Sequence, residues 1–239
     1  MQVVILCGGK ATRLFPLTKK VPKSMVPILG KPFLEYQINL LKKNSLKNIL
    51  LCTGYKGKMI KQYFGNGKKF GVRIKYSQEK KKLLGTAGAL KNAQNLLENN
   101  FIVMYGDSYV DFDFNSAIKY FNRKKLLGLM TVYKNNNKIE RSNVQIKNGL
   151  VVDYDKENYK STMKYIDYGV SIFDKKILDL ISKDKCTDLS YINKELIKRK
   201  ELSAFIVKKR YYQIGNPKGL MEFQNYAQKF LTKKIKVVK

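Results

Sequence analysis

Two neighbouring glycines, Gly8 and Gly9, end a short apolar run near the N-terminus, and the loop that follows carries Arg13 and Lys23. Glycine has no Cβ, so its backbone N–H groups can approach a phosphate or a base edge. Two cations about ten residues apart on that same loop add fixed positive charge, the chemistry a polyphosphate requires. The loop matches neither G-x-G-x-x-G nor G-x-x-x-x-G-K-[ST], so both common nucleotide fingerprints are absent. The 239 residues include no histidine and no tryptophan. That removes Ser-His-Asp and Cys-His nucleophilic catalysis, His-ligated zinc and imidazole acid–base chemistry. Cys7, Cys52 and Cys186 are scattered, with no C-x-x-C pair. They supply neither a four-ligand zinc site nor an even disulfide framework, and a reduced compartment is expected.

Lysine and arginine total 48 against 18 acidic residues, a formal charge of +30. This raises nucleic-acid binding as a possibility. The excess is spread over both halves of the chain, and lysine supplies most of it. Base-edge readout and bidentate phosphate contacts favour arginine. No nucleic-acid role is therefore expected, and runs such as Lys80-Lys81-Lys82 and Lys233-Lys234 read as solvated. The opening MQVVILCGG lacks the basic flank and length of a signal peptide, and no stretch approaches the roughly 18 apolar residues that cross a bilayer. The expectation is a cytoplasmic chain with no membrane partner.

The elements that position these residues follow from periodicity. Val3–Cys7 reads as a buried strand entering the glycine loop, and residues 10–32 read as loop. Helical spacing begins at Phe33, behind Pro32, and runs to Asn44. Strands are expected at 48–53, 72–76 and 101–105, with helices at 58–64 and 86–97. The fourth strand ends at Gly106-Asp107. Strand and helix alternating over short connections predicts a doubly wound α/β sheet. Ligands of such sheets bind beyond the carboxyl ends of the strands, which places Gly8-Gly9 and Gly106-Asp107 at one crevice. Further strands are expected near 127–133, 144–146, 151–154 and 165–173, and helices near 115–122, 175–182, 189–198 and 217–230. No linker marks a boundary, so residues 1–230 are read as a single domain and 231–239 as a basic tail.

The loop Gly8-Gly9-Lys10-Ala11-Thr12-Arg13-Leu14-Phe15-Pro16-Leu17-Thr18, followed by Pro22-Lys23-Ser24-Met25, resembles the signature of sugar-1-phosphate nucleotidyltransferases: G-G-x-G-T-R-L-x-P-L-T, then P-K-x-M. The resemblance continues through Gly30-Lys31-Pro32, Gly85-Thr86-Ala87-Gly88-Ala89-Leu90, Gly106-Asp107-Ser108 and Tyr212-Gln213-Ile214-Gly215-Asn216-Pro217. It implies a Rossmann-like nucleotidyltransferase fold with a mixed, mostly parallel sheet. It also implies transfer of a nucleotidyl group from an NTP to a sugar 1-phosphate, giving NDP-sugar and pyrophosphate. The look is nearest to the mannose- and heptose-1-phosphate guanylyltransferases, which favours GTP. A cytidylyltransferase with a non-sugar phosphate acceptor and a catalytically silent copy are the alternatives, and a homodimer stays open.

By that resemblance Arg13 holds the pyrophosphate portion and Lys23 the phosphates near the reacting centre. Leu6, Gly8, Gly9, Gly85 and Thr86 line the nucleotide pocket, and Asp107 ligates Mg²⁺. Lys156, Asp155, Tyr168 and Gly169 take the sugar phosphate. The nucleophile is a phosphate oxygen whose second pKa lies near 6, so no general base is required. A chain without histidine can carry this step. Plainer alternatives stand beside these roles: Asp107 as a turn cap, Lys156 as a solvated cation, Tyr168 as core packing. Three departures from the pattern matter. Ala11 replaces a loop glycine, Asp167-Tyr168-Gly169 replaces N-A-G, and Gln213 replaces a second metal-binding Asp. Either Asp107 with the phosphates suffices, Asp167 substitutes from the facing strand, or the activity is impaired; the first two are favoured.

Overall fold

The computed structural model describes residues 1–10, 12–79, 82–183 and 185–231. Ala11, Lys80, Lys81 and nearly all of the expected basic tail lie outside the described residues.

Continuous apolar runs become central strands, because a strand covered on both faces has no polar side to show. Three such strands are β1 (Gln2–Cys7), β4 (Asn48–Thr53) and β6 (Asn100–Tyr105). Between β1 and β4, a tight hairpin of β2 (Pro27–Ile28) and β3 (Lys31–Pro32) turns through Leu29 and Gly30, both at positive φ. Two positive φ values are what a two-residue hairpin turn requires. β5 (Arg73–Gln78) alternates exposed and covered residues, as its edge position demands.

The second half adds β7 (Ser108–Tyr109), β8 (Gly128–Lys134), β9 (Val144–Lys147), β10 (Leu150–Tyr154), β11 (Tyr165–Asp174), β12 (Leu202–Val207) and β13 (Tyr212–Gln213). One nine-stranded sheet runs β5-β4-β1-β6-β11-β8-β12-β10-β9. Its leading four strands are parallel, and β11 enters antiparallel between β6 and β8. The α/β sheet is therefore mixed, as expected. The helices are α1 (Leu17–Lys20), α2 (Phe33–Lys43), α3 (Gly57–Phe64), α4 (Gly85–Asn92), α5 (Phe114–Lys124), α6 (Leu189–Lys198) and α7 (Pro217–Tyr226).

Two buried clusters hold the layers together. One joins Phe33, Ile38 and Leu41 of α2 and Phe223 of α7 to Val3 and Ile5; the other joins Leu90 of α4 and Ile192 and Leu196 of α6 to Val4 and Phe101. Neighbouring residues of β1 thus point into opposite clusters, as the pleat requires.

Some elements differ from expectation. The loop after Gly9 is not featureless: it contains α1 and tight helical turns at Thr12–Leu14 and Lys23–Met25. Residues 175–180 form a 3₁₀ segment instead of an α-helix, capped by Asp174, whose carboxylate accepts from Lys176 N at 2.8 Å. α4 ends at Asn92 and is followed by a 3₁₀ turn, Gln94–Leu96, so the helix is shorter than its apolar stripe suggested.

Candidate active site

The parallel register brings the glycine turns together. Leu6 of β1 lies beside Tyr105 of β6 and beside Cys52 of β4. The strands therefore end level, and Gly106 N donates to Leu6 O at 3.0 Å. Above these ends lies a cavity of about 300 Å³, whose wall includes Leu6, Gly8, Gly9, Lys23, Gly85, Thr86 and Asp107. Seven of the expected site residues thus share one cavity, at the crevice where α/β sheets bind ligands.

Lys23 and Asp107 come from separate segments and meet there. Lys23 rides on the turn Lys23–Met25, and its Nζ donates to Asp107 Oδ2 at 2.9 Å. Their side chains are 20% and 25% exposed, so a ligand can reach both. The backbone fixes Asp107: Ile214 N donates to its carbonyl at 2.9 Å, and β7 pairs with β13 beside it. Gln37, fully buried on α2, donates through Nε2 to Tyr105 O at 2.9 Å and Ser108 O at 2.7 Å. Those carbonyls bracket the Gly106-Asp107 turn, so α2 clamps the carboxylate's backbone.

The far wall is built by close backbone approach. Ala87 N and Gly88 N both donate to Thr187 O, at 2.9 and 3.0 Å. Gly85 sits at φ +75°, and a Cβ there would lie 2.6 Å from Thr187 O. Gly85→Ala is therefore expected to cost about 2–4 kcal/mol, through left-handed strain and a backbone clash. Thermal unfolding checks this; an unchanged Tm would mean the 185–188 segment yields freely. Thr86 lines the cavity, yet its hydroxyl donates to Asp188 Oδ1 at 3.2 Å and accepts from Leu189 N at 2.7 Å. Its hydroxyl holds the start of α6.

The remaining expected residues fall elsewhere. Arg13 is exposed, with its guanidinium 3.8 Å from where a Cβ on Gly215 would sit, and it is not in the cavity wall. Lys156 lies at the rim: its ammonium is 5.3 Å from the centre of the Tyr105 ring, which does line the cavity, and 3.8 Å from Asp167 Oδ2. Asp155 lies outside the cavity wall. It accepts from Glu157 N at 2.9 Å and Asn158 N at 3.0 Å, closing a turn that holds its carboxyl well below the usual range. Tyr168 is a correction to the expected sugar contact. It is 1% exposed and packs edge-on against Phe112 and Tyr211, because the pleat turns it into the core. Gly169, at φ +88°, sits where β11 shifts register, and a Cβ there would lie 3.5 Å from Ser108 and Tyr105.

Asp167 does not replace the missing carboxylate. Oδ1 accepts from Gly169 N at 2.9 Å, and Oδ2 accepts from the Tyr154 hydroxyl at 3.1 Å. Gln213 turns its amide to Glu140 instead of toward Asp107. Among the described residues, no three acidic or thiol groups converge on a metal position.

Sequence reasoning missed Glu79, Asp188, Ser24 and Tyr105, all of which line the cavity. Glu79 follows directly on β5, a strand end like those that drew attention to Gly8 and Asp107. Its carboxylate accepts from Leu84 N at 2.9 Å. A Cβ on Gly54 or Gly8 would lie 2.6 or 2.8 Å from its Oε2, so those glycines make room for the acid. Burial pushes the Glu79 pKa up. Burial likewise pushes the Cys7 thiol to about 12, and with it any thiolate chemistry out of reach at neutral pH. The Tyr105 phenol is raised well above its ordinary value by burial, then by Asp167, Asp107 and Asp188.

Comparison with known proteins agrees with this geometry. The family described as "Nucleotidyl transferase" matches residues 2–229. A D-glycero-alpha-D-manno-heptose 1-phosphate guanylyltransferase of Campylobacter jejuni is 33% identical over 223 residues, spanning 93% of this chain and 98% of the relative. The protein of the same name from Aneurinibacillus thermoaerophilus is 31% identical over 97% of this chain and all of the relative. Among solved structures, HddC from Yersinia pseudotuberculosis in complex with GMP-PN superposes with a TM-score of 0.77 at 26% identity, covering 94% of this chain and 98% of that one. The chain belongs to the nucleotidyl transferase family, among its sugar-1-phosphate nucleotidyltransferases.

Proposed function

We propose that this enzyme transfers the guanylyl group of GTP to a sugar 1-phosphate of the mannose or heptose class, releasing pyrophosphate. The two heptose 1-phosphate relatives, matched over 98% and 100% of their length, carry guanylyltransferase names, which supports the base. The observation that carries it is Glu79. Guanine presents two adjacent donors, N1–H and N2–H, where uracil and cytosine present a mixed edge of donors and acceptors. An ionised carboxylate in the cavity accepts both guanine donors and faces an acceptor oxygen of either pyrimidine.

The reaction asks the protein mainly to position and neutralise. The acceptor phosphate is already anionic and attacks the α-phosphorus without a base. Among the described residues of the wall, Lys23 is the one cation beside Glu79, Asp107 and Asp188. Such a wall accommodates a triphosphate when a divalent cation joins it. The hard oxygen donors of Asp107 and the substrate phosphates fit Mg²⁺, which keeps one or two carboxylates and otherwise phosphate and water oxygens. When bound there, it supplies charge neutralisation at the transferring phosphoryl group. Lys23 orients the phosphates, the Gly8 and Gly9 amides approach them, and Lys156 reaches the acceptor phosphate from the rim. Arg13 meets the pyrophosphate only if the loop carrying it closes inward.

A panel of NTPs crossed with several sugar 1-phosphates, read by released pyrophosphate, tests the reading. Turnover only with CTP and a non-sugar acceptor would overturn it. Glu79→Gln is expected to lower the GTP preference about tenfold to a hundredfold, since a built polar site discriminates strongly. The pH dependence has a definite sign. Glu79 has a raised pKa, so acidification protonates it above the ordinary carboxylate range and the KM for GTP rises. In Glu79→Gln that rise disappears. Equal GTP-to-UTP ratios in both enzymes would remove Glu79 from the base site.

A further inference from the structure

Ser24 follows Lys23 on the same turn, is 2% exposed, and lines the cavity. Its Oγ makes no hydrogen bond among the described residues. A buried hydroxyl without a partner is costly, and native structures rarely keep one without a reason. The Cys7 thiol is its one polar partner at hand among those residues, a weak one, because neutral sulfur accepts poorly and leaves the hydroxyl's donor largely unmet. Three other buried polar atoms share this lack of a partner, Gln37 Oε1, Tyr168 OH and Asn193 Oδ1. None of those three residues is in the cavity wall. Ser24 is the one residue of the four that belongs to the cavity wall.

What enters there is constrained by the neighbours. Lys23, the residue before Ser24, holds its Nζ 2.9 Å from Asp107 Oδ2 in the same wall. The Gly8 and Gly9 backbone lies on the same wall. A hydroxyl beside an ammonium and a glycine turn suits an anionic oxygen acceptor. We propose that Ser24 Oγ–H donates a hydrogen bond to a phosphoryl oxygen of a bound substrate, a stronger acceptor than the thiol beside it. This rests on the reading of the cavity as the phosphate site. The phosphoryl oxygen belongs either to the nucleotide or to the acceptor sugar phosphate, and the two are separable by experiment.

The test compares Ser24→Ala with the wild type in three measurements. These are apo Tm, the Kd of a non-hydrolysable GTP analogue without acceptor, and the KM for mannose 1-phosphate. A hydrogen bond to an ionised group implies a loss of roughly tenfold to a hundredfold in one of the two substrate constants. A raised Kd assigns the contact to the nucleotide; a raised KM with unchanged Kd assigns it to the acceptor. Apo Tm should stay level or rise, because the variant removes a buried hydroxyl that only a thiol meets. A lower Tm with both constants unchanged would mean that Ser24 only packs, and would overturn the inference. Lys23→Ala, measured beside it, separates the two failures. If Lys23→Ala weakens binding and Ser24→Ala does not, the inference alone falls. If neither weakens binding, the cavity is not the phosphate site and both fall.

Discussion

Lys23→Ala is expected to lower kcat at least a hundredfold while leaving the fold in place. The cavity wall sets the direction. Among its described residues one ammonium stands beside three carboxylates, Glu79, Asp107 and Asp188. Removing that ammonium leaves a described wall of acids facing a triphosphate, and charge developing on the leaving pyrophosphate loses the one cationic side chain of that wall. Loss of one preorganised donor at a developing oxyanion typically costs a factor of 10² to 10³. The stability effect is small by comparison. The Lys23–Asp107 pair is partly exposed, and Asp107 keeps the Ser108 hydroxyl at 3.2 Å, so about 1 kcal/mol is at stake. Steady-state kinetics with thermal unfolding checks both parts. Near-normal turnover in a folded variant would mean that the chemistry happens elsewhere. Lys23→Arg should recover only part of the rate, because a planar guanidinium does not replace a compact ammonium on a short turn.

The framework that carries this site was legible because its strands are buried on both faces. Runs such as VVILC, NILLCT and FIVMY announce parallel central strands without help from alternation. Glycines at their ends mark the crevice, which is why Gly8, Gly9 and Asp107 could be placed beside one another before any coordinates. The rest depends on contacts between distant segments, and spacing does not record these. Thr86 lines the cavity, and it also ties α4 to α6 across a hundred positions of chain, which spacing alone does not show. Tyr168 has the composition of a sugar platform, but the pleat of β11 decides which way it faces. Asp155 and Lys156 are adjacent, yet a turn commits the first to backbone amides and leaves the second at the rim. Gln37 reads as one polar interruption in an apolar helix, and only the fold shows that it clamps the turn of Asp107. Glu79 was obscured by the lysines that follow it.

Asp107→Asn tests the other half of the pair and separates charge from shape. Asparagine fits the same space and can still accept from Lys23 and Ser108. The turn itself is held by Ile214 N and the Gln37 amide, neither of which touches the side chain. Tm should therefore move little. What disappears is the anionic oxygen, and an amide is a weaker ligand for a hard divalent cation than a carboxylate. With Gln213 turned to Glu140 and both oxygens of Asp167 already accepting, the other carboxylates of the described wall are Glu79 and Asp188, which already accept from Leu84 N and the Thr86 hydroxyl. Turnover is expected to fall at least a hundredfold, and the Mg²⁺ concentration giving half-maximal rate to rise. The double variant with Lys23→Ala should lose less than the product of the two single losses, because each residue positions the other. A strictly multiplicative loss would mean that the ion pair is incidental to the reaction. An unchanged Mg²⁺ dependence in Asp107→Asn would place the cation on other groups, with Asp107 serving only to hold Lys23 in place.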